Sequence, residues 1–365
     1  VIAGVRPQYV KVAAMQWVLR QYNNNSKTKI NAVYLDTGQH YDDSLAKDVI
    51  EDLGITFDHK LQHPDLHPIK MFGSMVSGIY DLLLSATTSK PNIVVVNGDA
   101  TSAFAGALAA VRAGKPVAHF EAGMRSGDLR EAEEANRRMI DHISSLHLCT
   151  SKVALNNLYK EGITDTVTWV GDFTYEYIVQ FANSLPASLE SYTPGEYILT
   201  SLHKPINIDS DQILSTIVKT LNEFGRKVVF VMHPRTRKRL EELDLLEEPN
   251  IDFIDALPYS KMLTAMKGSA YILTDSGGTH REAYYLRKHC LVRRDSGGWT
   301  GLINAGIHKR MGVTQEQIID GLNWAEKESQ CGFFSYLKND DLINPNASKQ
   351  AFDTMVEFVS KKLLG

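Results

Sequence analysis

Ala270-Tyr271-Ile272-Leu273-Thr274-Asp275-Ser276-Gly277-Gly278-Thr279-His280-Arg281-Glu282-Ala283 decides how this chain is read. An apolar strand runs into two adjacent glycines, and a helical pattern then starts with Ala283 and Leu286 on one face. Glycine lets the backbone approach a ligand without a Cβ in the way. The free N–H groups and positive dipole end of the new helix suit a diphosphate. Glu282 lies one turn further in, where a carboxylate can accept bonds from two ribose hydroxyls. The segment reads as a nucleotide-diphosphate site in the second half of the chain. A dinucleotide-binding enzyme usually carries its glycine-rich turn near the start.

Outward from this segment, strand and helix patterns alternate nearly throughout. Short β-branched runs occur at 32–35, 93–96, 117–120, 167–170, 197–200, 227–231, 251–254, 270–273 and 290–292. Helical stretches at 102–113, 133–144, 212–224 and 261–267 lie between them. The runs are apolar along their length, as expected of parallel strands buried on both faces. The pattern predicts an α/β fold with right-handed crossovers, built as two doubly wound domains with the ligand between them. The polar stretch 184–195, with Pro186, Pro194 and Gly195, reads as the linker. The expected division is 1–180, joined by a C-terminal helix at 350–365, and 181–349.

Composition bounds the function. At 365 residues the chain is too long for one ordinary core. It is 43% hydrophobic and 22% charged, as in soluble globular proteins. No apolar run is long enough to span a bilayer, no signal peptide is evident, and the chain starts inside a strand, so a few preceding residues are expected. A net charge of -4 with dispersed basic residues points away from nucleic acid. Cys149, Cys290 and Cys331 are far apart and odd in number, which suits the cytosol and offers neither a disulfide framework nor zinc spacing.

Polar residues gather where strands end: Gly4-Val5-Arg6-Pro7-Gln8, Thr37-Gly38-Gln39-His40, Asn97-Gly98-Asp99 and His119-Phe120-Glu121-Ala122-Gly123. Pro7 suits a first helical turn, toward which Arg6 and Lys11 point. One strand-end acid is ordinarily a cap or turn residue. Four polar strand ends together suggest a site, with Glu121 either a hydrogen-bonded buried acid or a proton-transfer group raised in pKa by burial near Asp99. Glu133 and Glu134 open a helix; an acidic first turn satisfies the dipole, and beside Asp99 and Glu121 Glu133 supplies a third carboxylate. Arg137, four residues after Glu133, can pair with it. Ser201-Leu202-His203-Lys204 and His233-Pro234-Arg235 follow later strands, and His203 is either a satisfied turn histidine or a group that protonates or holds a leaving phosphate. His63 and His67 are spaced i,i+4, but Pro64 and Pro68 make the segment a loop rather than a metal site.

Together these motifs resemble the non-hydrolysing UDP-N-acetylglucosamine 2-epimerase family. The likeness runs from Gly4 to about Gly306 and rests on Thr37-Gly38-Gln39-His40, Gly98-Asp99, His119-x-Glu121-Ala122-Gly123-x-Arg125, Glu133-Glu134-Ala135-Asn136-Arg137, His233-Pro234 and Thr274-Asp275-Ser276-Gly277-Gly278 with Glu282. The resemblance implies two Rossmann-like domains of the kind seen in B-type glycosyltransferases (GT-B-like), the active site in the interdomain cleft, and a final helix returning to the first domain. It implies loss of a C2 proton, elimination of UDP to a 2-acetamidoglucal, and re-addition with C2 reprotonated on the other face. Asp99, Glu121 and Glu133 match the family's acidic trio. Arg6, Lys11, Arg137 and His203 match positions that steady the diphosphate, Ser276, Gly277 and Gly278 those that hold the phosphates, and Glu282 the ribose. No metal or nicotinamide is required, and a homodimer through the first domain is implied.

Departures from the family pattern cluster. Gln8 replaces a glutamate, Lys204 an arginine, Ile206 an acid, and His280-Arg281 a Gln-Glu pair. Gly297-Gly298-Trp299-Thr300-Gly301 falls on an acidic and basic run, and Trp299 can stack on a sugar face. These changes fit either drift or an altered UDP-2-acetamido sugar. Gln39 and His233 match parts of the family's allosteric substrate site, where Asp42 replaces a second glutamine. Two other functions stay open. A GT-B glycosyltransferase would need an acceptor site but not three carboxylates. A UDP-sugar-binding protein without turnover is permitted by Gln8, Lys204 and Trp299 and opposed by Asp99, Glu121, Glu133 and His203.

Overall fold

A computed structural model describes residues 1–39, 43–63, 67–85, 90–294, 300–331 and 343–364. The chain divides into two compact units, Val1–Tyr177 with Asp340–Gly365, and Ile178–Asn339. The first unit runs β1 (Ile2–Ala3), α1 (Arg6–Asn25), β2 (Leu35–Asp36), α2 (Asp43–Leu53), β3 (His59–Lys60), α3 (Pro68–Leu84), β4 (Val94–Asn97), α4 (Thr101–Arg112), β5 (Val117–Phe120), α5 (Ala132–Ile143), β6 (Leu146–Cys149), α6 (Lys152–Lys160) and β7 (Val167–Trp169). The division falls inside α7 (Thr174–Ser184). The second unit continues with β8 (Tyr197–Ser201), α8 (Pro205–Ile208), α9 (Asp211–Glu223), β9 (Lys227–Met232), α10 (Pro234–Glu242), β10 (Ile251–Asp255), α11 (Tyr259–Gly268), β11 (Tyr271–Thr274), α12 (Gly277–Tyr285), β12 (Cys290–Val292), α13 (Thr300–Asn304), β13 (His308–Arg310) and α14 (Gln315–Cys331). The final helix, α15 (Ala347–Leu364), belongs to the first unit.

The α/β expectation holds in both units. One sheet is ordered β3-β2-β1-β4-β5-β6-β7 and the other β10-β9-β8-β11-β12-β13. Every strand pair among the described residues is parallel. Each sheet reverses its winding once, between β1 and β4 and between β8 and β11. There the chain leaves neighbouring strands toward opposite faces and opens a crevice beyond their carboxyl ends, where such sheets bind ligands. Ile2 pairs with Val96 at the first reversal, and Thr274 with Ser201 at the second.

Local sequence explains these elements. Val94-Val95-Val96-Asn97 is buried along its whole length, as a strand covered on both faces must be. The α4 helix packs on β1 and β4, where a Cβ on Gly106 would lie 2.8 Å from Ile2 Cδ1 and 3.2 Å from Val96 Cγ1, and Ala103, Ala107 and Ala110 are buried in the same core. Among the described residues no helix is long and apolar enough to cross a membrane.

Three strands escaped the hydrophobic pattern. The β3 strand is two residues long, and β13 is His308-Lys309-Arg310, a charged strand at the sheet edge. The β6 strand is interior but interrupted by His147, whose ring is satisfied by Thr166 Oγ1 at 3.0 Å and the Asp141 carbonyl at 2.7 Å. The run expected at 32–35 becomes a strand only at Leu35–Asp36. The stretch 184–195 is not a free linker. Lys267 Nζ donates to the carbonyls of Ala182 and Leu185 at 2.8 and 2.9 Å, and Gly195 N–H to the Gly268 carbonyl at 2.8 Å, which ties the stretch to the second unit.

The α15 helix is held to α1 by Phe352, 2% exposed, whose ring lies 5.1 Å from that of Tyr22, and by the Tyr22 hydroxyl donating to Asp353 Oδ1 at 2.8 Å. Phe352→Ala is expected to lower the stability of the first unit by about 3 kcal/mol in urea unfolding. A change within about 0.5 kcal/mol would remove α15 from that core.

Candidate functional site

At the first reversal, the ends of β1, β4 and β5 bring three turns together. Pro7 sits in the first turn of α1, which Arg6 opens. One turn on, the Lys11 ammonium pairs with Glu121 Oε2, with only 10% and 16% of the two side chains exposed. Gly98 makes this meeting possible. Its φ is 67°, and a Cβ there would lie 2.8 Å from Lys11 Nζ and 3.1 Å from Glu121 Oε2. Glu121 itself has φ 66°, a left-handed conformation that costs a non-glycine residue about 1–3 kcal/mol. Such strain persists only where the surroundings enforce it, and here they do. His119 Nε2 donates to the Gly98 carbonyl at 2.9 Å, and His119 Nδ1 lies 2.6 Å from Asp141 Oδ1. Asp141 also accepts from Gly123 N–H at 3.1 Å and pairs with Arg125 Nη1 at 2.8 Å, and Arg125 forks onto Glu161 at 2.6 and 2.8 Å. Burial would raise the Asp141 carboxyl, but His119 and Arg125 hold it below the usual carboxylate range.

The Asp99 carboxylate, 36% exposed, accepts from Arg137 Nε at 2.8 Å and Nη2 at 2.5 Å. Asn136 Nδ2 donates to the Asp99 carbonyl at 2.9 Å. Arg137 does not pair with Glu133. Its second partner is Glu134, at 3.1 Å, which is wholly buried and also takes Ser126 N–H at 2.8 Å and Arg138 Nε at 3.3 Å. The helix turns the neighbouring Glu133 out to solvent.

At the second reversal the organising group is the buried Asp275. Its carboxylate accepts the backbone N–H of His203 and of Lys204 at 3.1 and 2.9 Å, and Asn207 Nδ2 at 2.8 Å. Burial alone would raise its pKa; the bonds from His203 and Asn207 outweigh that and lower it. His203 Nδ1 lies 3.0 Å from Asp275 Oδ1, so the carboxylate fixes Nδ1 as a protonated nitrogen and leaves Nε2 on the outer side of a ring that is 44% exposed. Ser276 caps α12, its Oγ accepting Thr279 N–H at 3.3 Å. Gly277 is the first residue of α12, and a Cβ there would lie 2.9 Å from Arg294 Nη1; the nearest atom to a Cβ on Gly278 is Ser276 Oγ, at 3.8 Å. Glu282 is buried and accepts the Tyr259 hydroxyl at 3.0 Å. His233 caps α10, exposed, with its ring 6.3 Å from that of His203.

This pairing of strand-end carboxylates in one sheet with a glycine-opened helix in the other is matched across almost the whole chain. The sequence model of UDP-N-acetylglucosamine 2-epimerase covers residues 23–355. The chain belongs to the UDP-N-acetylglucosamine 2-epimerase family. It is 34% identical to the UDP-2,3-diacetamido-2,3-dideoxy-D-glucuronate 2-epimerase of Pseudomonas aeruginosa, over 87% of this chain and 89% of that one. It is 31% identical to the UDP-N-acetylglucosamine 2-epimerase of Methanocaldococcus jannaschii, over 87% and 89%. The crystal structure of the M. jannaschii UDP-GlcNAc 2-epimerase in complex with UDP-GlcNAc and UDP superposes with a TM-score of 0.81 at 28% identity, over 97% of this chain and 98% of that one. The family thus includes an epimerase of a modified sugar.

Within this epimerase-family fold, Lys11, Asp99, Glu121 and Arg137 meet at the first reversal, and His203, Ser276, Gly277, Gly278 and Glu282 gather at the second. Trp299, with Gly297 and Gly298, lies outside the described residues, as do His40 and Asp42. Asp141, Glu134 and Asn207 were not singled out as site residues in the sequence. Their helical positions carry no signal until their partners are known. Among the described residues no group of three or more His, Cys, Asp or Glu is arranged to hold a metal ion.

Behind α12 lies a group of buried histidines. The rings of His280 and His308 meet edge to face, 4.7 Å apart, and His289 Nδ1 donates to the Ile307 carbonyl at 2.8 Å. Burial, and then Arg294, lowers His280 to about 3; burial, and then the neighbouring histidines, puts His308 well below its ordinary value. Because the folded pKa values are depressed, the unfolded chain binds the extra protons once pH falls below about 6.5. Stability of the second unit is therefore full above that pH and falls below it, by up to about 1.4 kcal/mol per pH unit for each histidine. Denaturation series at pH 7.5, 6 and 5 measure this slope. His308→Gln is expected to shrink it whatever its effect on absolute stability; an unchanged slope would clear His308.

Proposed function

We propose that this protein inverts C2 of a UDP-activated 2-acetamido sugar by eliminating and re-adding UDP, without net hydrolysis. The observation that carries the reading is the Lys11–Glu121 pair at a sheet reversal, beside Asp99, in a chain matched to the epimerase family over residues 23–355. In this reading a carboxylate takes the C2 proton, the C–H electrons form the C1–C2 double bond, and the C1–O bond breaks to release UDP. The unsaturated sugar stays bound. UDP then adds back at C1 while a carboxylate returns a proton to the opposite face of C2. Asp99, Glu121 and Glu133 share these two proton transfers. Removing a proton with no adjacent carbonyl demands bases fixed in position, and the strained, multiply braced Glu121 supports that role.

Arg6, Lys11, Arg137 and His203 steady the departing diphosphate, with His203 presenting Nε2 while Asp275 orients its ring. Ser276, Gly277 and Gly278 hold the phosphates, the two glycines through their backbone N–H groups and Ser276 through its hydroxyl, since its own N–H donates to Thr274 Oγ1 at 3.1 Å. Glu282 holds the ribose, and His233 lies at the margin of the same site. The substrate is UDP-GlcNAc interconverted with UDP-ManNAc, or a modified relative such as the diacetamido uronate named for the Pseudomonas protein. Ile206, 52% exposed where the family pattern has an acid, supports a sugar with a less polar contact there. Trp299 is the candidate stacking residue for that sugar. We further propose a cytoplasmic homodimer that needs no metal or nicotinamide.

Glu121→Gln is expected to cut C2 proton exchange by at least about 100-fold while UDP binding stays within a few fold. Exchange by NMR and binding by calorimetry give the two numbers; loss of both would make Glu121 a folding residue only. Trp299→Ala is expected to weaken the true sugar nucleotide far more than UDP. Equal weakening would take Trp299 out of the sugar site.

A further inference from the structure

Gln8 stands where the family pattern carries a carboxylate, and its surroundings show what the amide does. It is 2% exposed and bonded on both ends. Its Oε1 accepts Gly4 N–H and Ser102 Oγ–H, each at 2.8 Å, and its Nε2 donates to the Asn97 carbonyl at 2.9 Å. The orientation is unambiguous, because a backbone N–H can only donate and a backbone carbonyl can only accept. Gly4 leads into Arg6, Asn97 leads into Gly98 and Asp99, and Ser102 lies in the first turn of α4. One side chain therefore ties together three turns at the first reversal. The Gly98 carbonyl then passes the constraint to His119, and so to the strand carrying Glu121.

We propose that Gln8 is a positioning residue that fixes the geometry of Arg6, Asp99 and Glu121 by supplying a donor and an acceptor at once, so that this geometry does not depend on protonation. The proposal rests on the epimerase reading above for its catalytic consequence, but not for its structural one. Glutamate has the same shape but, when ionised, only accepts. It would set a carboxylate oxygen against the Asn97 carbonyl, and only its protonated form restores the donor. Titratable or charged groups on the surrounding elements are Arg6 and Lys11 on α1, Asp36 on β2, His63 after β3, Asp99 after β4, and His119 and Glu121 at β5. A control is needed for their shared effects.

Gln8→Glu, Gln8→Leu and the wild type are compared from pH 6 to 9, for C2 exchange and for melting temperature without ligand. Gln8→Glu is expected to approach wild-type kcat at the acid end and to fall behind it as pH rises, by up to about tenfold per pH unit, with KM changing less. Its melting temperature should drop away from the wild type over the same range. Gln8→Leu should be impaired at every pH with no such trend. A Gln8→Glu deficit that is absent, or constant with pH in both readouts, overturns the proposal. If the wild type itself exchanges no sugar, the epimerase reading fails and the melting series alone decides the role of Gln8.

Discussion

The pairing of the Lys11 ammonium with the Glu121 carboxylate, over the bare Cα of Gly98, is the contact on which the first half of the site depends. It requires a left-handed glutamate and a left-handed glycine at the ends of adjacent strands. Neither conformation is stable alone at a non-glycine residue. Gly98 adopts the left-handed form freely, while at Glu121 it persists because His119, Asp141, Arg125 and Glu161 form a largely buried ladder beneath it. Those four residues bond to one another and to the backbone of Gly98 and Gly123. Their part is to make the acid's direction a property of the fold rather than of a flexible loop.

The second unit solves a different electrostatic problem on the same sheet plan. Asp275 is an ionised carboxylate with no exposure, a costly arrangement unless every lone pair is answered. His203, Lys204 and Asn207 answer it, and in doing so they set the start of α8 beside the start of α12. The outcome is a surface of helix N-termini and an oriented imidazole, suited to negative charge. In the proposed reading the first unit supplies the bases together with Arg6, Lys11 and Arg137, and the second adds His203 and the start of α12 as anion contacts. An elimination that expels a nucleoside diphosphate needs both.

Much of this was legible in the sequence, for identifiable reasons. Parallel strands buried on both faces are continuous apolar runs, so the runs read at 93–96, 117–120 and 270–273 fall within one residue of the strands at 94–97, 117–120 and 271–274. Glycine pairs and strand-end acids mark turns because few other residues tolerate them. Other parts could not be read. Glu133 and Glu134 are adjacent in one helical turn, and which of them is buried depends on Ser126, Arg137 and Arg138 meeting Glu134. Gln8 resembles a lost acid until Gly4, Asn97 and Ser102 are seen around it. His280 resembles a substituted ligand residue, yet it packs against His308 from an edge strand too short and charged to be recognised.

In the proposed reaction the carboxylates of the first unit move a proton at C2 while the second unit holds UDP. Wild-type protein incubated in heavy water with UDP-GlcNAc, and separately with its 2,3-diacetamido uronate relative, tests it most directly by NMR at C2. Deuterium is expected at C2 of at least one sugar, together with the 2-epimer and no net accumulation of free UDP. Binding of both sugar nucleotides with no deuterium entering C2 of either would contradict it.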